Sequence, residues 1–162
     1  MVKSILLRDI TEQDFPVLYE FQLDPEANHM AAYPAKNRKE FIDHCREKIF
    51  NNDSVIAKGI IFNNHLVGNV VSWEISGERV IGYWIDKKHW GNGIATMAVS
   101  ALLDILKMRP VLAYVARHIL ASIRVLEKCG FRQANKLKSL PDIADEELEE
   151  YILNKLGAVL DN

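Results

Sequence analysis

The chain has 162 residues, 20 Lys and Arg against 22 Asp and Glu, and a formal charge of −2, which fits one domain with a real core and leaves no room for a second of comparable size. The balanced, scattered charge gives no general attraction to a phosphate backbone or an anionic membrane, so neither nucleic acid nor a membrane is an expected partner. Cys45 and Cys129 stand alone, with no CxxC or His/Cys spacing; no metal site or disulfide scaffold is expected, and a reducing cytoplasm fits.

The N-terminus, MVKSILLRDITEQD, breaks into charge after three apolar residues, far short of a signal peptide or membrane span, so an unexported cytoplasmic protein is expected. SILLRDI reads as a first strand. Thr11 can cap a helix over EQDFPVLYEFQL, whose early acids suit the positive helix end and which stops near Asp24-Pro25. After the turn-like DPEANHMAAYPAKN, the run RKEFIDHCREKIF places Phe41, Cys45, Lys48 and Ile49 at helical spacing. SVIAKGIIF, HLVGNVVSWEI and RVIGYWID are rich in strand formers and separated by the turn signals NN and SGE, which reads as an antiparallel meander. IATMAVSALLDIL puts Ala98, Ala101, Leu102 and Ile105 on one helical face. VLAYVAR resumes as a strand. In ASIRVLEKCGF, a helix turns Val125, Leu126 and Cys129 inward, Gly130 ends it and Phe131 opens another strand. The C-terminal ADEELEEYILNKLGAVL fits both helical and strand periods, so periodicity leaves it open. Its acids could face a cationic amine, or simply solvent.

The stretch GYWIDKKHWGNGIAT interrupts a strand with two glycines before a helix begins. Glycine is costly in regular structure, so this pair marks a backbone shape that a side chain would forbid. The first N–H groups of a helix lack internal partners and carry partial positive charge, so such a junction favours a phosphate. A P-loop needs Lys and then Ser or Thr after its second glycine, whereas Gly93 is followed by Ile94, Ala95 and Thr96. A dinucleotide fingerprint needs a glycine at position 96 and an acid about twenty residues on, and here Thr96 leads to AYVARH.

Lys88-His89-Trp90-Gly91-Asn92-Gly93 resembles the signature of the GNAT N-acetyltransferase superfamily: a basic residue or Gln, two variable positions, Gly, one variable position, then Gly or Ala. ASIRVLEKCGF is similar to the second signature of the branch containing the ribosomal-protein N-terminal (alanine/serine) acetyltransferases. DPEANHMAAYP resembles that branch's substrate-side segment, so the likeness runs over nearly all of residues 1–162 as a single domain. The resemblance implies an α+β, three-layer fold: a mixed, mostly antiparallel sheet flanked by helices, splayed between its fourth and fifth strands, with a final strand at EEYILNKL. It implies acetyl-CoA as donor, with Lys88, His89, Gly91, Asn92, Gly93, Ile94, Ala95 and Thr96 around its pyrophosphate and the main chain of Trp84 and Ile85 pairing with the pantetheine arm. The acceptor implied is a primary amine, either a protein N-terminal α-amine or a small molecule. Monomer and homodimer both fit.

Acetyl transfer to an amine needs a neutral amine, a stabilised oxyanion and a proton for the departing thiolate. By resemblance, a main-chain amide around Trp84 is the oxyanion donor and attack is direct, in a ternary complex. Many relatives use a Tyr as acid where this chain has Leu126, and an Asn touching CoA where it has Ile119. Ser122, one turn before Leu126, is the substitute acid and a cofactor contact, or else a serine bonded to its own helix. Glu74 is the preferred base over Glu78, acting through water. His118 has a suitable unperturbed pKa. Tyr83 and Trp84 face opposite sides of one strand, so one of them faces substrate. Losing both the Tyr and the Asn also admits a non-catalytic acyl-CoA-binding module.

Overall fold

The structure, a computed structural model, describes residues 4–23, 37–50, 52–116, 120–133 and 148–153. Seven strands form one sheet in the order β1-β2-β3-β4-β5-β7-β6. The first four are β1 (Leu6–Asp9), β2 (Ile56–Phe62), β3 (His65–Ile75) and β4 (Glu78–Ile85), an antiparallel meander as its strand-forming runs predict. Its two tight turns hold Asn63, Asn64, Ser76 and Gly77 at positive φ, the conformation that Asn and Gly reach most cheaply. The other three are β5 (Val111–Ala116), parallel to β4, then β6 (Arg132–Gln133) and β7 (Leu148–Leu153). β7 runs antiparallel between β5 and β6, so within the ambiguous C-terminal segment Leu148–Leu153 form a strand.

Four α-helices accompany the sheet among the described residues: α1 (Phe15–Phe21), α2 (Arg38–His44), α3 (Ile94–Ile105) and α4 (Leu120–Lys128). A 3-10 turn, Glu12–Asp14, precedes α1, where Pro16 sits in the first turn and its missing N–H costs nothing. The cap is built the opposite way from a simple Thr cap: the Thr11 N–H donates to Asp14 Oδ2 at 2.8 Å. The helix expected from Arg38 to Phe50 is α-helical only to His44. Cys45–Phe50 form a π-helical turn, whose wider rings change the phase of everything beyond Cys45. Phe41 and Cys45 face the core as expected, and the side chains of Lys48 and Ile49 lie outside the described ones.

Two apolar clusters hold the layers together. The larger joins Ile60, Val70, Ile81 and Ile85 of the sheet to α3, α4, β5 and β7. The smaller packs Phe15, Leu18 and Cys45 with Ala57 and Leu66. On α3 the buried residues are Ile94, Ala98, Val99, Leu102 and Leu103; Ala101 is at the margin and Ile105 is 42% exposed, so the buried face is centred between Ala98 and Val99 rather than running out to Ile105. No described helix is long and apolar enough to cross a membrane, and no described cluster of His, Cys, Asp and Glu could hold a metal ion.

Candidate functional site

The glycine turn leaves the end of β4 through a 3-10 turn, Lys87–His89, and enters α3. Gly91 has φ +82° and Gly93 φ +73°, a left-handed conformation that L side chains rarely adopt. Among the described residues no heavy atom lies within 4 Å of where a Cβ would stand on either glycine, so open space faces the turn. The first helical bond of α3 runs from Met97 N–H to Gly93 C=O at 3.1 Å, which leaves Ile94, Ala95 and Thr96 as the amides without an acceptor inside the helix. Two side chains brace this turn. Trp90 Nε1 donates to the Ile85 carbonyl at 2.9 Å, and Asn92 Nδ2 donates to the His89 carbonyl at 3.1 Å. Trp90 is a brace of the turn that spacing alone missed; its position three residues before Gly93 gave no signal of a clamp back onto β4. The amides, the open space and the dipole of a twelve-residue helix together fit a pyrophosphate.

Beside the turn the sheet opens. Among the described residues β4 and β5 pair only at Arg79↔Val111 and Val80↔Leu112, and from Ile81 onward β4 has no described partner on that side. The result is a V whose apex is at Val80 and whose mouth lies by the glycine turn, as the expected splay requires. On the other edge of β4, Asp86 N–H donates to the Val67 carbonyl at 2.8 Å and the register runs unbroken from Gly68↔Ile85 to Ile75↔Glu78. Antiparallel pairs alternate, so Trp84 exchanges its peptide hydrogen bonds with Asn69. The peptide groups of Tyr83 and Ile85, on either side of Trp84, therefore face the V, and the Ile85 carbonyl also accepts from Trp90.

α4 closes the helix side of the V. Ser122 lies in its first turn and faces Tyr83, whose ring packs on the main core together with Ile123, Val125 and Cys129. Burial pushes the Tyr83 phenol up and the Ser122 hydroxyl partly offsets it. Burial also pushes the Cys129 thiol up to about 11, and its Sγ lies 3.6 Å from the Thr96 carbonyl, tying α4 to the first turn of α3. Leu126 is fully buried core.

Glu74 stands opposite Arg79 at the apex, and Arg79 Nη2 lies 3.4 Å from its carboxylate. Arg79 is buried and also donates to the Ser54 carbonyl at 2.8 Å. Five residue steps along β4, about 16 Å of strand, separate Arg79 from Trp84. The fold thus brings Ser122 to the stretch around Trp84 and leaves Glu74 at the far end of the V. His118, Ile119 and the segment DPEANHMAAYP lie outside the described residues.

Known proteins match this arrangement. The acetyltransferase (GNAT) domain model matches residues 4–132. A probable N-acetyltransferase, YjcK, of Bacillus subtilis is 38% identical over 111 residues, 62% of this chain, and the match spans 61% of that protein's length. The aminoglycoside acetyltransferase AAC(6')-Ib with coenzyme A superposes with a TM-score of 0.79 at 20% identity, covering 94% of this chain and 95% of that one. RimL, a ribosomal L7/L12 alpha-N-protein acetyltransferase with coenzyme A, gives 0.75 at 19% identity over 93% and 94%. With most of its length matched by the family model and a V that opens beside a glycine turn, the chain belongs to the GNAT acetyltransferases, enzymes that take their acetyl group from acetyl-CoA.

Proposed function

We propose that the chain acetylates a primary amine by direct attack within a ternary complex, and that its leading acceptor class is the free α-amine of a peptide or protein N-terminus. The observation that carries the reading is the V between β4 and β5 opening onto the glycine turn of α3. Lys88, His89 and Gly91 through Thr96 would hold the pyrophosphate, and the peptide groups of Tyr83 and Ile85 on the open edge of β4 the pantetheine arm, in place of the main chain of Trp84, which is taken up by Asn69. A neutral amine attacks the thioester carbon, a C–N bond forms, and the electron pair moves to an oxygen held by a main-chain N–H on that edge. The C–S bond then breaks while Ser122 supplies a proton to the sulfur, and the surplus amine proton leaves to a base. Glu74 reaches that proton only through ordered water.

The acceptor class follows from ionisation. A free α-amine has a pKa near 7.7–8.0 and a lysine side chain one near 10.4, so at pH 7 the α-amine is neutral a few hundred times more often. Among the described residues the buried ionisable side chains are Asp14, Arg79, Cys45 and Tyr151, with Tyr83 and Cys129 partly buried, and none of these is a strong base at the mouth of the V. Such a site suits the easier nucleophile, as does the likeness of ASIRVLEKCGF to the N-terminal acetyltransferase branch.

The test follows CoA release between pH 6 and 9 with peptides bearing a free N-terminus, N-blocked peptides with one internal lysine, polyamines and aminoglycosides at equal concentration. Free N-termini are expected to react fastest. Faster acetylation of a blocked lysine peptide or a small amine overturns the acceptor class, and acetyl-CoA binding without transfer to any amine would leave a non-catalytic module.

A further inference from the structure

Trp73 of β3 lays its ring across the neighbouring strand. It pairs in register with Val80, and Cη2 and Cζ3 of its indole lie diagonally over Gly82, where a Cβ would meet them at 3.2 and 3.3 Å. Glycine weakens a strand interior and marks a place where something approaches closely; at Gly82 that something is the indole. Strand alternation puts Trp84 on the same face as Gly82, and the parallel pair Val80↔Leu112 brings Leu112 and Tyr114 of β5 to that face as well. Trp73, Gly82, Trp84 and Tyr114 are all partly exposed. Tyr83 points the other way, against the core that α3 and α4 build.

The two faces of the V are not equivalent. One is filled where Ile81 and Ile85 pack with Ala98, Leu102 and Leu126 of α3 and α4, so a peptide has no entry there. On the other, α1 and the Cys45 turn pack over Ala57 and Leu66 and leave the three aromatic residues partly open. With the donor along the edge of β4, the acceptor amine meets the thioester from this aromatic face. Gly82 adjoins Tyr83, whose peptide groups face the V, so the indole stands about one residue step, or 3.3 Å of strand, from the edge assigned to the donor. The side chain of an N-terminal residue branches from the carbon that carries the α-amine, and it falls against the indole when that amine reaches the thioester. We infer that Trp73 is a specificity-determining residue: its ring is the wall on which the acceptor's first side chain packs, framed by Trp84 and Tyr114, and it selects an uncharged, apolar first residue. From Asn69 to Ile75 on β3 and Glu78 to Trp84 on β4, the one charged side chain that alternation places on this face is Glu78, about 13 Å of strand below Gly82. A charged first residue would therefore lose water at the indole without gaining a partner.

This inference deepens the N-terminal acceptor class of the proposed function and rests on it. Rates are measured with free-N-terminal peptides that differ only in the first residue, Gly, Leu, Met, Asp or Lys. Calorimetry follows the same peptides binding to the complex with coenzyme A, a readout that needs no transfer. A single methylene in an apolar pocket is worth about tenfold or more. Leu and Met should therefore exceed Gly by at least about tenfold in kcat/KM, mostly through KM, with Asp and Lys no better than Gly. Trp73→Ala should bring Leu and Gly within about threefold of each other by raising KM for Leu, the mark of lost uniform binding. Trp73→Phe should restore most of the preference, and Gly82→Ala, which presses a Cβ onto the ring, should weaken it with the indole still present. Acetyl-CoA affinity should stay within about twofold in every variant that melts as a folded protein. Equal rates for Leu and Gly in the wild type, an Asp or Lys peptide that outruns Leu, a preference that survives Trp73→Ala or is untouched by Gly82→Ala, or a tenfold loss of acetyl-CoA affinity in Trp73→Phe would each overturn the inference. Failure of every free N-terminus while a blocked lysine peptide or a small amine reacts would instead remove the acceptor class beneath it.

Discussion

Gly68→Ala tests whether the path of β4 at Trp84–Ile85 holds the donor. Gly68 pairs with Ile85, and a Cβ placed on it would meet the Trp84 carbonyl oxygen at 2.1 Å and the Ile85 Cα at 3.1 Å. An ordinary C···O approach is about 3.3 Å, so β4 must shift by about an ångström. The obstacle is backbone and cannot swing aside, unlike the Leu66 side-chain end that a Cβ on Gly59 would meet at 2.8 Å. Overpacking of this kind costs about 1–3 kcal/mol, and in a chain of this size each kcal/mol lowers Tm by roughly 2–4 °C. The larger effect is on the site, because an ångström of misplacement at a reacting centre can cost about 10²-fold. The assay pairs thermal melting with calorimetric titration of acetyl-CoA, and Gly77→Ala is the control. Gly77 has φ +80° and nothing within 4 Å, so its substitution costs about 1–2 kcal/mol of backbone strain and leaves the donor site untouched. Expected are a Tm loss of several degrees in both variants and at least tenfold weaker acetyl-CoA binding in Gly68→Ala alone. Acetyl-CoA affinity within twofold of wild type in Gly68→Ala would refute the assignment of this stretch to the donor.

Two further outcomes follow. Acetyl-CoA at a hundred times its Kd should stabilise the folded chain by about 2.7 kcal/mol, and Gly93→Val should abolish that thermal shift, because a branched side chain there is strained at φ +73° and fills the space the phosphates need; an undiminished shift would remove the phosphate turn. Arg8 holds the Asp14 carboxylate below its usual range, first through the hydrogen bonds at 2.8 and 2.9 Å, against a smaller opposing effect of burial, and with help from the Thr11 N–H. A carboxylate with a lowered folded pKa stabilises fully above its unfolded value near 3.9 and loses that contribution as pH falls through the folded one. Stability should therefore drop below about pH 4 by an amount that Asp14→Asn abolishes, and an identical acid profile in that variant would show that the pair contributes nothing.

The meander was legible because its strands are long, rich in β-branched residues and split by NN and SGE, local signals that packing had no reason to override. The glycine turn was legible for a related reason: only glycine takes positive φ at little cost, so a backbone requirement is written as a residue type. The rest depended on contacts between distant segments. Whether Ala98 or Ile105 faces the core is decided by where β4 and β5 lie under α3. The π turn after His44 has no compositional mark. Trp90 reaches back to Ile85, and Tyr83 meets Ser122, across 5 and 39 residues that no periodicity links. The edge of β4 that faces the V depends on which residue pairs share hydrogen bonds, a phase that the sequence does not carry.

That phase bears on why the donor side is so much easier to recognise than the acceptor side. The parts assigned to acetyl-CoA are almost all main chain: three amides at the start of α3, two glycines, and the open edge of β4. Main-chain groups are the same whatever residue carries them, so the fold and a few glycines suffice to specify them. An acceptor amine must instead be chosen by side chains, and these can differ widely on one scaffold: AAC(6')-Ib, an aminoglycoside acetyltransferase, and RimL, an acetyltransferase of a ribosomal protein α-amine, superpose on this chain almost equally well. Fold likeness therefore says little about the amine. The discriminating quantity is how much help the nucleophile needs to lose its proton, and the site assembled by the described residues offers two hydroxyls around Trp84, with the Glu74 carboxylate at the apex already paired with Arg79. A lysine at neutral pH would need a base strong and close enough to offset a few-hundredfold deficit in neutral amine. An α-amine needs only to be placed, which is what a V with a rigid, hydrogen-bonded wall can do.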